Sequence, residues 1–551
     1  MPTQKSVPRL YLNIDGSKVS PDVSDSIISI EVDDSIDLPD IFAVHLRDKN
    51  AKWVDSDAFS LGKPVEIKAT NSGQEVTMIF GEITSIDPRF NPSSGPTLIL
   101  RGYDLSHRLN RDRKTRSFLQ MKDSDIALKI AKEAKLKTKI DATRQVHVYV
   151  LQDNKTDWEF LMSRARRIGY RLLVKEDTLH FEKAPKESQQ PPVIEWRENL
   201  IMFNARMSTA LQVSEVVVHG WDPGTQKQIV GRATTVQDVP QIGEKRKGGQ
   251  AADQAFGIAA KRIVVDYPVA DQAEADELAQ SICDEIGQGF IEAECVCSGN
   301  PEIHAGAIVE LKGVGTRFSG TYRITHALHR YNASGYTTEF TIGGRHTSTL
   351  SELVLPKRLE RSRIGSPVLG VVTNNDDPDK LGRVKVKLPS LADTHESYWA
   401  RLVSPGAGKD KGFLWIPDVG DEVLVLFEYG DIHYPLVIGG LWSQKAPIVD
   451  SSNLVDSGKG VAVHIDTHEK MGMTIMDKPN DTWLQLGDQD NHLSLDKTNR
   501  EAVLKSADKI NMQGLNISID ADNNIEIKSK GNIKIEGSGL VEIKGSTIKL
   551  N

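Results

Sequence analysis

The hydrophobic positions change rhythm along the chain. In residues 8–110, short runs alternate apolar and polar, as in Ile28-Ser29-Ile30-Glu31-Val32, Val44-His45-Leu46 and Val65-Glu66-Ile67. A period of two places alternate side chains on one face and predicts half-buried strands. The period then lengthens. Residues 123–135 carry Ile126, Ile130 and Ala134 on one helical face, and Thr156-Asp157-Trp158-Glu159 is a capping box that opens a second helix bearing Phe160, Leu161, Ala165 and Ile168 before Gly169. Strands are predicted again at 171–174 and 178–181. A Gln- and Pro-rich linker spans 185–193, strands resume near 213–219, and GEKRKGG at 243–249 predicts an exposed loop. Asp271 caps a further helix that ends by Gly287, and more strands run from 290 to 343.

An internal echo crosses the helical insert. GKPVEIK at 62–68 is similar to GAIVELK at 306–312, GEIT at 81–84 to GTYRIT at 320–325, and TLILRG at 97–102 to TEFTIG at 338–343. The order is kept, which predicts two related β-barrels flanking the insert.

The last stretch is more regular still. Residues 516–551 pair apolar residues two apart: Ile517 with Ile519, Ile525 with Ile527, Ile533 with Ile535, and Val541 with Ile543, each pair eight residues after the last. Ile548 and Leu550 follow one residue early. Asn, Asp, Gly and Ser fill the intervals, which is turn chemistry. Such a repeat predicts a solenoid of short strands. Each octad offers too few apolar side chains to form a core alone. A single-chain three-sided β-helix needs about three octads per coil, so this stretch would close fewer than two coils. Three chains wound together give each layer its own small Ile/Val core, so the pattern favours an intertwined trimeric β-helix, or prism, with those eight residues as trimer core. Looser pairs at Val461/Val463/Ile465, Met473/Ile475, Leu484/Leu486 and Leu493/Leu495 extend it backward. At about 4.7 Å per strand, roughly ten layers make a rod on the order of 50 Å long.

Composition narrows the partners. The 551 residues are 39% hydrophobic and 26% charged with net charge −8, which argues against nucleic acid. Three cysteines, Cys283, Cys295 and Cys297, are too few for a disulfide framework and suit a reducing compartment. No apolar segment follows the N-terminus as a signal peptide would require, and no run of about 18 apolar residues spans a membrane. Synthesis in the cytoplasm without a signal peptide is expected.

A basic connector with Lys357, Arg358, Arg361 and Arg363 leads to the most distinctive block, residues 367–442. It predicts about five strands with tight turns, a small barrel. Asp377-Pro378-Asp379-Lys380-Leu381-Gly382-Arg383-Val384, Trp399-Ala400-Arg401, Trp415-Ile416-Pro417, Val419-Gly420-Asp421-Glu422-Val423 and Pro435-Leu436-Val437-Ile438-Gly439 follow in order. Together they resemble the OB-fold domain of contractile-tail spike proteins, the central spike of contractile phages and the VgrG proteins of type VI secretion. GYDLSHRL at 102–109 and residues 299–338 are similar to the hub regions of that family, so the resemblance covers nearly the whole chain.

The resemblance implies a mainly β, multidomain chain: first hub barrel 1–115, α/β insert 116–190, second hub barrel with helix 191–355, linker 356–365, OB-fold 366–445 and trimeric β-helix needle 446–551. It implies a homotrimeric hub and spike that seats on a hexameric inner tube of a baseplate, carries a small PAAR-like tip protein and pierces a target envelope. Cargo effectors are further partners of the family, and nucleic acid is not. The length, with no domain after the rod, looks most like the spike of extracellular phage-tail-like particles. Ile548, Leu550 and Asn551 from three chains would form the tip's platform.

Catalytic readings are weak. A tail-tip cell-wall hydrolase would need an inserted domain with paired carboxylates, and the first rod strand begins within about 20 residues of Trp442. An OB-type nucleic-acid-binding protein would want a basic groove with exposed aromatics. Residues 313–320 (GVGTRFSG) lack the Lys-Ser/Thr pair of a phosphate loop. Cys295 and Cys297 lack a partner pair at zinc spacing. His464 with His468, the Asn375/Asp377/Asp379 alternation, and His326 with His329 read as structural. No catalytic, cofactor or metal residue is expected.

Overall fold

The period-two runs of the first half form strands, and these join strands from beyond the insert in one sheet. A computed structural model describes residues 9–36, 38–71, 74–183, 190–237, 241–344, 365–390, 396–448 and 454–549. The chain is mainly β and divides into two units, Met1–Trp442 and Ser443–Asn551.

In the first unit, strands β1 (Leu10–Ile14), β2 (Ile27–Ser35), β3 (Ile41–Arg47), β4 (Pro64–Asn71), β5 (Gln74–Asn91) and β6 (Gly95–Asp104) precede the insert. The insert begins with β7 (Arg113–Lys122), α1 (Asp123–Glu133), β8 (Val146–Thr156) and α2 (Asp157–Arg167). After it come β9 (Leu200–Met207), α3 (Gln272–Gln288), β10 (Ile291–Ser298), β11 (Ile308–Lys312), β12 (Gly320–Asn332) and β13 (Gly335–Ile342). A 14-stranded sheet contains the spatial order β9-β10-β13-β12-β2-β3-β6-β5-β4-β1, with β11 also beside β12. Its two halves keep separate cores. One is built on Phe42, Val44, Leu46, Ile67 and Leu98; the other on Cys295, Cys297, Val309, Tyr322 and Phe340.

The internal echo is a duplication of backbone detail. Gly62 and Gly306 both take positive φ, +81° and +80°. Gly62 N donates to Ile83 O and Gly306 N to Ile324 O, both at 2.8 Å. Ile83 N donates to Lys63 O at 3.0 Å, and Ile324 N to Ala307 O at 2.9 Å. A bulge follows each isoleucine, at Thr84 and Thr325. A second matched pair of bulges lies in β2 and β9, at Ile28 and Ile201. The strands β2 to β6 therefore correspond in order to β9 to β13. The third sequence match is one residue out of register. Ile83 faces Gly102 while Ile324 faces Ile342, so Thr97 corresponds to Thr337, not Thr338. The tandem threonines 337 and 338 hid that step.

The capping box forms as the sequence predicts. Thr156 Oγ1 accepts from Glu159 N, and Thr156 N donates to Glu159 Oε2, both at 3.1 Å. Asp271 caps α3 through Glu274 N at 2.9 Å. GEKRKGG is not wholly an exposed loop. Gly248 and Gly249 are buried and open a helix, Gly248–Phe256, that presses on Gln212 and Val213. A Cβ on Gly249 would lie 2.3 Å from Val213 O, so only glycine fits. The basic connector and most of the 185–193 linker lie outside the described residues.

Residues 365–442 form the five-stranded sheet that the block predicts, from β14 (Val368–Asn374), β15 (Lys385–Lys387), β16 (Arg401–Leu402), β17 (Glu422–Phe427) and β18 (Pro435–Gly440), in the order β15-β14-β17-β18-β16. The core holds Val372, Val384, Val386, Ala400, Val423, Val425 and Val437, and Leu151 from β8 joins it. Leu151 N donates to His433 Nε2 at 2.8 Å and Tyr149 Oη to Glu396 O at 3.0 Å, which ties this sheet to the insert.

In the second unit, β19 (Ala462–Asp466), β20 (Gly472–Lys478), β21 (Asp481–Gly487), β22 (His492–Asp496) and β23 (Glu501–Lys505) form an antiparallel meander. From 506 to 549 no described residue lies in a helix or strand. The octads predicted strands, and within one chain they have no ladder to join.

Candidate functional site

The uncovered apolar side chains of the second unit are the candidate site. Antiparallel pairing places directly opposite residues on one face. Two rows cross the meander: Val463, Ile475, Leu484 and Leu495; and Ile465, Met473, Leu486, Leu493 and Leu504. Val463 and Ile465 are two apart, so both rows share a face. Behind them runs a polar row, His464, Thr474, Gln485 and Ser494. Val463, Leu495 and Leu504 are all exposed on this apolar face.

The octads repeat the theme without a sheet. Ile517, Ile519, Ile525, Ile527, Ile533, Ile535, Val541 and Ile543 lie between 50% and 69% exposed. Lys528 Nζ sits 2.5 Å from Glu526 and Lys544 Nζ 2.7 Å from Glu542, with Lys534 paired to Glu536. These ion pairs link residues two apart, so charged side chains take one side of an extended chain and the isoleucines the other. Ile548 is also exposed, whereas Leu550 and Asn551 lie outside the described residues. A single chain gives the described octad residues a common side but no contact with a core.

The loop of residues 377–384 in the five-stranded sheet is a rigid clasp. Asp377 accepts from the backbone N of Asp379, Leu381 and Arg383, and from the Arg383 guanidinium at 2.7 and 2.9 Å. The Arg383 hydrogen bonds hold its carboxyl well below the usual carboxylate range. The run of residues 377–384 is thus a turn whose acid and arginine lock each other, with no site for a bound ion in the pairing.

Two polar clusters were invisible in the sequence. A cavity of about 570 Å³ is lined by Asp34, Asp40, Asp104, His304 and His329 among others. Burial pushes Asp104 up to about 7, and burial with the nearby Asp34 and Asp104 carboxylates raises Asp40. Each acid is engaged locally: Asp34 Oδ2 accepts from Ala305 N at 2.9 Å, Asp40 Oδ1 from Ser35 N at 3.2 Å, and Asp104 Oδ1 from Ser106 N at 3.2 Å. His329 Nδ1 lies 2.9 Å from Tyr336 Oη, and burial lowers its pKa to about 4. In the insert, Arg164 Nε donates to the buried Asp123 at 2.5 Å and His147 Nε2 lies 2.9 Å from it. Long sequence separations hide both groupings.

The remaining candidates fall into packing roles. Cys295 and Cys297 are buried on β10, and burial raises the Cys297 thiol to about 12. Residues 313–319 turn between β11 and β12. His326 Nε2 bridges to Asp33 Oδ1 at 2.6 Å, joining β12 to β2. Among the described residues, no group of three or more His, Cys, Asp or Glu could hold a metal ion, and no helix is long and apolar enough to cross a membrane.

Comparison with known proteins follows this architecture. The Alg8 N-terminal domain family matches residues 4–333, more than half of the 551. The type VI secretion system/phage-baseplate injector OB domain matches residues 368–442. The chain is 36% identical over 92 residues to the type VI secretion system spike protein VgrG2a of Pseudomonas aeruginosa, covering 15% of this chain and 11% of that one. It is 25% identical over 286 residues to VgrG1c of the same organism, covering 49% of this chain and 37% of that one. It thus spans well under two thirds of these relatives' lengths. Among solved structures, the E. coli c3393 protein, a type VI secretion component, aligns with TM-score 0.51 at 13% identity, over 78% of this chain and 99% of that one. The Francisella PdpA–VgrG complex aligns with TM-score 0.51 at 10% identity, over 91% and 80%. Both likenesses concern the fold.

Proposed function

The chain belongs to the Alg8 N-terminal domain family and its relatives are VgrG spike proteins, and on that premise we propose that it is the homotrimeric hub and spike of a contractile injection apparatus. One observation carries the reading: a sheet face and a run of octads whose apolar side chains find no cover among the described residues of their own chain. Burying an isoleucine is worth about 1.5–3 kcal/mol, so a set of such positions is a strong drive to associate. The threefold prism answers it, because each chain supplies one extended edge and one apolar side to a common axis.

In this reading the first 355 residues are two barrels per chain that seat on a hexameric inner tube, and the octads are a needle that pierces the target envelope. A PAAR-like protein sits on the blunt end at Ile548, Leu550 and Asn551. Cargo effectors ride on the assembly, nucleic acid has no part, and the protein is structural, not an enzyme. It assembles in the cytoplasm into the baseplate of an injection particle. Native mass spectrometry of the full chain tests the core of this: a trimer is expected, and a monomer at micromolar concentration would overturn it.

A further inference from the structure

The octads carry a second pattern, on the side away from their isoleucines. Aligned on the apolar pairs, the residue inside each pair forms one column: Ser518, Glu526, Lys534, Glu542 and Lys549. The residue after each pair forms another: Asp520, Lys528, Glu536 and Lys544. Sign reverses at every charged step down both columns. The other charges of the stretch, Asp522 and Lys530, share a corner column and are also opposite. Local pairing does not explain this. Lys528 lies 2.5 Å from Glu526, Lys534 pairs with Glu536, and Lys544 lies 2.7 Å from Glu542. A Glu-x-Lys in every octad would neutralise each one equally well, yet the order reverses in the octad of Lys534. The alternation answers to something outside the octad.

We propose that these charges select the register in which copies of this chain wind together. This rests on the homotrimer proposed above and names the side chains that specify it. In a three-sided prism each chain turns a corner after every octad and rises one layer. The octad stacked on a given octad, on the same face, is therefore the next octad of a neighbouring chain. That stacking sets Glu526 on Lys534, Lys534 on Glu542 and Glu542 on Lys549. In the second column it sets Asp520 on Lys528, Lys528 on Glu536 and Glu536 on Lys544. Layers are about 4.7 Å apart, whereas residues two apart along an extended chain are separated by about 6.6 Å. Cross-layer partners are thus nearer than those inside an octad, and an inner charge such as Lys534 has one above and one below.

The apolar core cannot make this choice. Ile517 with Ile519, Ile525 with Ile527 and Ile533 with Ile535 are interchangeable, so a chain slipped by one octad still lays isoleucine on isoleucine. The same slip sets Glu526 on Glu526 or on Glu542, and every column charge on its like. Like charges directly opposite are destabilising. From Glu526 to Lys544 the paired side chains are 54% to 81% exposed, so a single pair is worth little. Their effect lies in the difference between registers, summed over the layers of three faces, and specificity is such a difference. The charges flanking a coiled-coil seam choose partners in this way. A foreign octad repeat with the same core and another order of charges would be refused.

Charge exchange tests this in the full chain. Lys534→Glu with Glu536→Lys keeps the net charge and the ion pair inside the octad, but sets like charges against the layers above and below. By mass photometry its trimer should dissociate at a concentration about tenfold higher than the parent's. In roughly 1 M salt, where the screening length is about 3 Å, the gap should narrow. A second variant exchanges acid for Lys and Lys for Glu at every column position from Asp520 to Lys549, and again keeps the net charge. It should form trimers as the parent does. Co-expressed with a mass-tagged parent, it should sort into unmixed trimers by native mass spectrometry. The hub's calorimetric transition, read on each sample, shows that the chain is folded. A parent that is a folded monomer overturns both the trimer and the charge register. A parent trimer matched by the Lys534/Glu536 exchange at both salt concentrations, or mixed trimers in random proportion, leaves the trimer standing and overturns the register. A fully exchanged chain that folds its hub but forms no trimer overturns it too.

Discussion

The sheet of Met1–Trp442 and the octads of Ser443–Asn551 are built from the same alternating β pattern, and they end in opposite states. In the sheet, Val44, Leu46, Ile67, Leu98 and Val309 are essentially inaccessible to water. In the octads every core candidate is half exposed or more. The difference lies in what stands opposite each strand. The long strands of the first unit fold back on one another over closed cores that hold Phe42 and Phe340. An octad is too short to carry its own cover, and the next octad only repeats it. Local pattern decides which side chains share a side; the length and order of elements decide whether the chain can bury them itself or must borrow a neighbour.

The sharpest way to break this comparison is to put one charge into each region. Ile67→Asp places an unpaired carboxylate in a sealed core, at a cost of about 4 kcal/mol or more, and should unfold the hub in a single chain. Ile527→Asp should leave the hub's calorimetric transition in place yet abolish the trimer by mass photometry, because three carboxylates would face one dry axis. An Ile527→Asp protein that is still trimeric would remove the prism. A milder pair follows the same logic. Leu98→Ala should lower hub stability by about 2–5 kcal/mol in denaturant melts, while Ile519→Ala should leave those melts unchanged and raise the concentration at which trimers dissociate.

Legibility in the sequence divides along the same line. Features set within a few residues were readable: the Thr156–Glu159 capping box, the Asp271 cap and the period of the octads. The five-stranded sheet was readable because its turn chemistry, from Asp377 to Arg383, is local. The echo was visible but misaligned by one residue, because the hairpin between Asn332 and Gly335 is one residue shorter than that between Asn91 and Gly95, and the tandem threonines 337 and 338 mask the step. Gly248 and Gly249 read as loop because two glycines discourage a helix; only the close approach of Gln212 and Val213 explains them. The cluster of Asp34, Asp40, Asp104 and His329 needed the sheet to bring together residues nearly 300 positions apart.

That cluster gives a difference in pH response. Folding buries His329 and lowers its pKa to about 4, against about 6.5 in the unfolded chain. The unfolded state therefore takes up the proton first. Hub stability should be intact above pH 6.5 and fall as pH drops toward 4, by on the order of 3 kcal/mol for this group alone. The Asp34 carboxylate opposes the shift, while His304 and His326 add to it. His329→Gln should flatten that part of the profile in pH-dependent thermal melts. A slope unchanged by the substitution would assign it to other groups.

The smallest effect on the trimer, and the most local, is expected at its end. In the proposed prism, the layer that carries Ile548 presents three strand edges, one from each chain, to the proposed tip. Ile548 is exposed there, and the stretch after His492 contains no histidine, cysteine or aromatic residue with which to build a metal clamp or bulky plug. Residues 546–551 add one layer to a core of many, so their deletion should change trimer stability little. Docking of a tip protein would depend on that layer entirely, because it supplies the edges the tip must cover. Particles carrying the deletion should keep their trimers and lose the tip, read by mass spectrometry of purified assemblies. Full tip occupancy on truncated particles would move the docking surface away from Ile548 and back toward the exposed faces of the preceding octads.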